Sequence, residues 1–449
     1  MENLILIISS VVILIPVFLF VLSRKMFYYS LILLYPIVGQ LISQEFVIFG
    51  ISINPSMVFG LLAVSMTAID FLFHPSQNLT LEIAVVLFIL YSIFISAFSP
   101  IRFASLSWAL KIATWLLILL ASIKLFKEER DLYQIHLVVA IGVLVVIFSF
   151  FLSRWGFYGQ SFTYKTGVES YGAGFSSGKT LAYYLTISIP VLALRISEKA
   201  SLGRWLSLVL IIISIIVIVL TFVRAPVVAI LIGFLAYNYF SYKYGNKSFL
   251  MRFSIIIATI LIIFLAFTLL QESQYTSRWS EIGDKYTKGK VEKIGSGRVG
   301  GLMRFFEYYL YKAPVINKIF GSGLGSSTVY LGHNKIIHND FAEILMGCGI
   351  IGFSLYMFII LKIYWLLTDL LKITHPIHYA RYGILAMSNL FIFLSFHMTN
   401  VSSGVLILSV WALFSGASIG LGQSVSETRN RKWNELLEMK RYNQLDNQI

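Results

Sequence analysis

A chain of 449 residues with 58% hydrophobic side chains, a mean hydropathy of +0.81 and 12% charged residues is too apolar for a soluble globular protein. Its formal charge of +14 arises from 35 Lys and Arg against 21 Asp and Glu. These cations are spread over short connectors, so they point to membrane topology and contact with anionic lipid, not to a nucleic-acid partner.

Apolar runs of about 20 residues, the length that crosses a hydrocarbon core as a helix, recur from one end of the chain to the other. Period-two alternation is absent, which argues against an outer-membrane barrel. The expected fold is all-α: a polytopic membrane protein of about 12–13 spans. They fall near 3–22, 27–43, 53–73, 81–98, 105–123, 137–153, 181–195, 205–222, 226–240, 253–270, 340–368, 380–398 and 404–421. The first run has no basic stretch before it and no small-x-small site after it, so it reads as a retained span and not as a signal peptide. Arg224 is the one charge in the long apolar stretch 205–242, and Pro226 suits the first turn of a new helix. That stretch is therefore expected to be a tight hairpin with Arg224 at its turn. Connectors after odd-numbered spans hold the basic residues, among them Arg24, Lys25, Lys124, Lys127, Arg195, Arg204, Lys372 and Arg381. The positive-inside rule then puts the C-terminus in the cytoplasm and, with thirteen spans, the N-terminus outside.

Two longer connectors land on the outer side. One, 154–180, is rich in Gly, Ser and Tyr; the other, 271–337, is far longer than a turn requires. Within the second, 299–320 has apolar residues at helical spacing, as expected of an amphipathic helix on the membrane surface, and 425–441 has the same character on the cytoplasmic side. The chain thus divides into spans one to ten (1–270, including the outer connector 154–180), the large outer loop (271–337), three last spans (338–421) and a cytoplasmic tail (422–449). Its single cysteine, Cys348, lies in an apolar helix and offers neither a disulfide nor a thiolate metal site.

Several local patterns have plain readings. Gly172–Thr180 superficially matches a phosphate loop, but Ala173 stands where glycine is needed and the loop faces outward; Lys179 at the following helix start remains a candidate contact for an anion. The stretch Gly321-Ser-Gly-Leu-Gly-Ser-Ser327 reads either as a flexible loop or as a nest of backbone amides for a phosphate. His333, His338, Asp340 and Glu343 have no familiar zinc spacing, and Asp340 with Glu343 fits a capped helix start, so no metal and no other cofactor is expected. His397 fits a packed or interfacial residue, and Gly347, Gly349 and Gly352 fit close helix packing.

Three stretches carry more weight together. His338-Asn339 is followed after nine residues by Gly349-Ile-Ile-Gly352; Thr221-Phe-Val-Arg224 sits on the hairpin turn; Ser296-Gly297-Arg298 precedes Phe320-Gly-Ser-Gly-Leu-Gly325 in the outer loop. In order and spacing these resemble the O-antigen ligase and polymerase family of bacterial polysaccharide enzymes. The resemblance covers 154–352; the earlier spans match only in hydrophobicity. The tryptophan common after the loop arginine in that family is replaced here by Phe305, Phe306 and Glu307, and the Pro-Asn pair of the earlier outer loop by residues around Ser176-Ser177-Gly178. Both departures bear on sugar recognition.

The resemblance implies a membrane glycosyltransferase of the bacterial inner membrane with an extracytoplasmic site. Its donor would be an undecaprenyl-diphosphate-linked glycan, its acceptor a second glycan, and it would need neither metal nor nucleotide. Arg224 and Arg298 would bind the departing diphosphate, and His338 would take the proton of the attacking hydroxyl. Asn339, Lys179 and Arg304 are accessory candidates. A polymerase joins repeat units; a ligase moves finished glycan to lipid A core. The long tyrosine-rich and basic outer connectors favour the polymerase, for which the resemblance implies a chain-length regulator protein as a further partner. A lipid-linked sugar flippase or secondary transporter is the competing class, disfavoured because the candidate residues lie at the outer boundary and not at the midplane.

Overall fold

The structure is a computed structural model, and it describes residues 15–41, 46–48, 51–53, 62, 64–69, 79–156, 161–163, 169–171, 178–196, 201–221, 223–244, 294–331, 337, 339–372, 378–398 and 405–446. Its helices are α1 (Arg24–Leu41), α2 (Leu79–Ala97), α3 (Arg102–Leu125), α4 (Glu129–Arg154), α5 (Gly178–Leu192), α6 (Leu202–Leu220), α7 (Arg224–Tyr244), α8 (Ile294–Glu307), α9 (Val315–Phe320), α10 (Ser327–Tyr330), α11 (Asp340–Lys372), α12 (His378–His397) and α13 (Val405–Asp446). Two antiparallel pairs of three-residue strands, Phe46–Ile48 with Ile51–Ile53 and Ser161–Thr163 with Glu169–Tyr171, are the sheet among the described residues.

This is an all-α polytopic membrane protein. Eight of the described helices, α2, α3, α4, α6, α7, α11, α12 and α13, are long and apolar enough to span a bilayer. The expected spans 27–43 and 181–195 also appear as helices, but α1 and α5 do not reach that length and hydropathy; α5 has only 15 residues, with Pro190 inside it. The expected spans 3–22, 53–73 and 253–270 lie largely or wholly outside the described residues. The tail expected at 425–441 is no separate surface helix. It continues α13 as one helix of 42 residues, because a helix keeps its backbone bonds after its side chains turn polar.

Packing contacts fix the helix directions. Tyr91 of α2 lies against Gly352 of α11, Ser92 against Cys348 and Phe88 against Tyr356, so α2 and α11 run antiparallel. Gly416 of α13 meets Leu119 and Ser122 of α3, and Gly420 meets Ile123 and Phe126, so those two run parallel. At the centre, Trp115 of α3, Trp411 of α13 and Phe393 of α12 form one aromatic cluster, with Phe393 stacked on Trp411 at 3.9 Å. Burial of such rings fixes the bundle more by shape than by polarity, since lipid is as apolar as the core.

One end of the bundle gathers the start of α11, the loop 321–327, the α2–α3 turn, the start of α5 and the end of α12. The other gathers Lys25, residues 124–129, Arg195 and Arg381. The expected hairpin is present: α6 starts at the second end, where Ser207 meets His136 and Gly203 meets Arg195, and it returns to finish at Leu220. Thr221 caps it, its amide bonding to Val217 O and its hydroxyl to Ile218 O, and Arg224 opens α7 three residues later. Arg224 therefore belongs to the same end as the start of α11.

Candidate functional site

The start of α11 is organised by Asn339. Its Oδ1 accepts the Ala342 amide at 3.0 Å, the reach of an N-cap side chain to the third helical residue, and its carbonyl accepts the Glu343 amide. The expected capping by Asp340 and Glu343 is thereby corrected. Both Asn and Asp cap well, and the helix begins one residue earlier than that pattern assumed. Asn339→Ala is expected to destabilise the protein by about 1 kcal/mol, with Asn339→Asp restoring most of it. The melting temperature of the detergent-purified protein checks this; an alanine variant melting with the parent would mean that the cap contributes nothing.

Freed from capping, Glu343 does something else. It is buried at 1% exposure, and its Oε1 accepts the Gly325 amide at 2.7 Å. The second oxygen makes no regular hydrogen bond to the described residues, with Ser327 beside it. Glu343 thus ties the glycine loop to α11.

The loop and the helix form a single unit. At Gly349 the helix breaks, with φ of 63° and ψ of −172°, and two carbonyls in the turn before it bond outside the helix. Gly323 donates to Gly347 O at 2.8 Å and Ser322 to Met346 O at 3.2 Å. Tyr91 Oη donates to Phe320 O at 2.8 Å, and Ser105 Oγ to Leu324 O at 2.6 Å. Irregular backbone within a membrane-spanning bundle is tolerated when protein supplies its partners, as here. The loop is therefore neither flexible nor a phosphate nest: the amides of Gly321, Ser322, Gly323, Gly325 and Ser326 are all bonded within the protein. The packing role expected of these glycines is met: Gly347 lies against the loop at Gly323 and Leu324, Gly349 against Ile319 in the last turn of α9, and Gly352 faces α2 through Tyr91.

Helices α8 and α9 rest on the same two turns of α11. Phe305 of α8 and Tyr309, in a π-helical continuation over Tyr308–Lys312, form a small core with Ile337, Ala342 and Met346. Tyr309 Oη donates to Lys318 O, closing α8 onto α9. Phe306, Leu310, Tyr311, Val315 and Ile316 face outward, the amphipathic pattern expected for 299–320. Arg304 is exposed on α8, and Arg298 lies two turns earlier in that helix.

His338 itself lies outside the described residues; its neighbours Ile337 and Asn339 are held, the first by burial and the second by its cap. Lys179 sits in the first turn of α5, 5.4 Å from the Tyr183 ring, and the Tyr183 ring packs at a tilt against Phe396 at the end of α12, centroids 4.5 Å apart. Asn339 Nδ2 approaches Met398 Sδ just beyond, so Lys179 and Asn339 converge through α12. Arg224, Lys179, Asn339, Arg304 and the helix carrying Arg298 thus share one end of the bundle. His397 is packed as expected, fully buried: its Nδ1 donates to Phe393 O and its Nε2 receives the Tyr356 hydroxyl at 2.5 Å. Tyr356 and Tyr183 were not singled out by sequence, where the one available signal was their polarity inside apolar runs; Glu343 was, but as a capping residue and not as the tie to the glycine loop. No family model matches the chain, and no curated protein matches it.

Proposed function

We propose that this protein is a glycosyltransferase of the bacterial plasma membrane that polymerises undecaprenyl-diphosphate-linked oligosaccharide repeat units on the extracytoplasmic side. The observation that carries this reading is the gathering of Arg224, Lys179, Arg304 and the Arg298 helix at the end of the bundle where the His338-Asn339 pair leads into α11. Cations gathered at a membrane boundary give a lipid-borne anion a place to bind, and a lipid diphosphate arrives there in the membrane plane.

The reaction balances without a cofactor. The acceptor hydroxyl attacks the anomeric carbon of the donor; a new glycosidic C–O bond forms while the bond from that carbon to the diphosphate breaks. The diphosphate leaves with the electron pair, its growing charge met by Arg224 and Arg298, and the hydroxyl proton passes to His338. The connection of the glycine loop to the first turns of α11 supports this reading, because it holds the segment after His338 rigid against a fixed backbone.

The test uses purified protein and a lipid-linked repeat unit alone, with no nucleotide and no metal. A ladder of longer products, lost in His338→Ala and Arg298→Ala at normal expression, is expected. A single transfer only after lipid A core is supplied would make the protein a ligase. No product in either case, or full turnover by both variants, would end the glycosyltransferase reading.

A further inference from the structure

At the opposite end of the bundle, α13 leaves the packed core and carries on alone. Gly420 is still wedged against the backbone of Ile123 and Phe126, and burial ends within a turn of it; every described side chain from Ser426 to Leu436 is exposed. Between this projecting helix and the α3–α4 turn lies an open groove of about 1010 Å³. One wall is a single helical face, Thr428, Arg429, Lys432, Trp433 and Leu436, spaced at i, i+1, i+4, i+5 and i+8. The other wall holds Lys127 and Tyr379.

The acidic residues in this groove are already engaged. Glu128 shares a capping box with Asp131 at the start of α4, and Glu129 receives the Tyr382 hydroxyl with Arg381 at 3.6 Å. Arg429 and Lys432 make no ion pair among the described residues. Trp433, 61% exposed, and Leu436, 49% exposed, add an apolar side to the same face. A groove with two unspent cations and an indole, opening where a helix leaves an apolar bundle, has the chemistry of a phospholipid site: cations for phosphate, and tryptophan at headgroup level.

We infer that this groove binds the headgroup of an anionic phospholipid, with Arg429 and Lys432 on its phosphate and Trp433 against the upper part of its chains. This inference is independent of the glycosyl-transfer reading, which concerns the other end of the molecule. Arg431 supplies the control: it is exposed on the same helix but faces away from the groove, so its removal costs the same net charge without touching the site.

The experiment titrates detergent-purified full-length protein with phosphatidylglycerol, and in parallel with phosphatidylcholine, and reads lipid retained per protein by native mass spectrometry. Phosphatidylglycerol is expected to bind preferentially. Removing either groove cation should weaken it roughly fivefold, and Arg429→Ala with Lys432→Ala together roughly thirtyfold, while Arg431→Ala leaves it within twofold. Equal weakening by Arg431→Ala would reduce the effect to general electrostatics and overturn the site. So would equal retention of the two lipids, or a groove that takes an acidic protein partner and no lipid. All substituted side chains are exposed, and unchanged melting in phosphatidylcholine confirms that the variants are folded.

Discussion

Gly321→Ala is expected to leave little folded protein. Gly321 has φ of 91° and ψ of 177°, a region open essentially to glycine alone, where another residue costs on the order of 1–3 kcal/mol. A Cβ there would also lie 2.2 Å from Gly347 O and 2.6 Å from the Cys348 carbonyl carbon. Those are backbone atoms, and Gly347 O cannot retreat without losing the bond it receives from Gly323. Strain and overlap together should exceed about 4 kcal/mol, a large share of the 5–15 kcal/mol that holds an ordinary domain. Gly349→Ala meets the same difficulty from the other side, with φ of 63° and a Cβ 2.3 Å from Ile319 O. Gly301→Ala is the contrast: it sits in α8 with nothing within 4 Å of its Cβ, and should stabilise that helix by up to about 1 kcal/mol. Fluorescence size-exclusion profiles and melting curves of the three variants check this. A monodisperse Gly321→Ala protein melting with the parent would mean that the loop does not pack on α11 as described.

How much of this was legible in the sequence depends on the distance over which each interaction acts. The fold class was legible because spanning helices are set by local hydropathy. The hairpin at Arg224 was legible because one charge and Pro226 mark it within a few residues. The glycine motifs were each visible, yet their pairing was not: Ser322 and Met346 stand 24 residues apart, and nothing local says that the amides of one complete the broken helix of the other. The same applies to Glu343. Its spacing from Asp340 imitates a cap, and only the loop 18 residues earlier reveals its other partner. The length of α13 was missed for the opposite reason, since hydropathy ends at the membrane surface but helical hydrogen bonding does not. As for the candidate site, the sequence supplied its members and the structure supplied their common end. The resemblance that names the chemistry rests on the motifs alone.

Glu343 is where this local imitation can be tested most sharply. Three substitutions separate what the side chain contributes. Glu343→Gln keeps an acceptor for the Gly325 amide in nearly the same shape and is expected to stay within about 1 kcal/mol of the parent. Glu343→Leu fills the space but abandons that amide in a buried site, which should cost about 1–3 kcal/mol. Glu343→Ala loses the same bond and leaves a cavity as well, for a total of roughly 3–5 kcal/mol. The order Gln, Leu, Ala in falling melting temperature is therefore the expected result. A helix-capping role predicts something different: Leu and Ala would then be equal, because a cap at an exposed helix start leaves no cavity when truncated. Equality of all three with the parent would mean that the loop is held without Glu343. Because the carboxylate sits five residues from His338 on the same segment, the loss should extend to the glycosyl-transfer ladder wherever that ladder exists. Activity retained in Glu343→Gln but lost in Glu343→Leu, at a temperature where both remain folded, would assign the hydrogen bond, and not the charge, to holding the start of α11 in place.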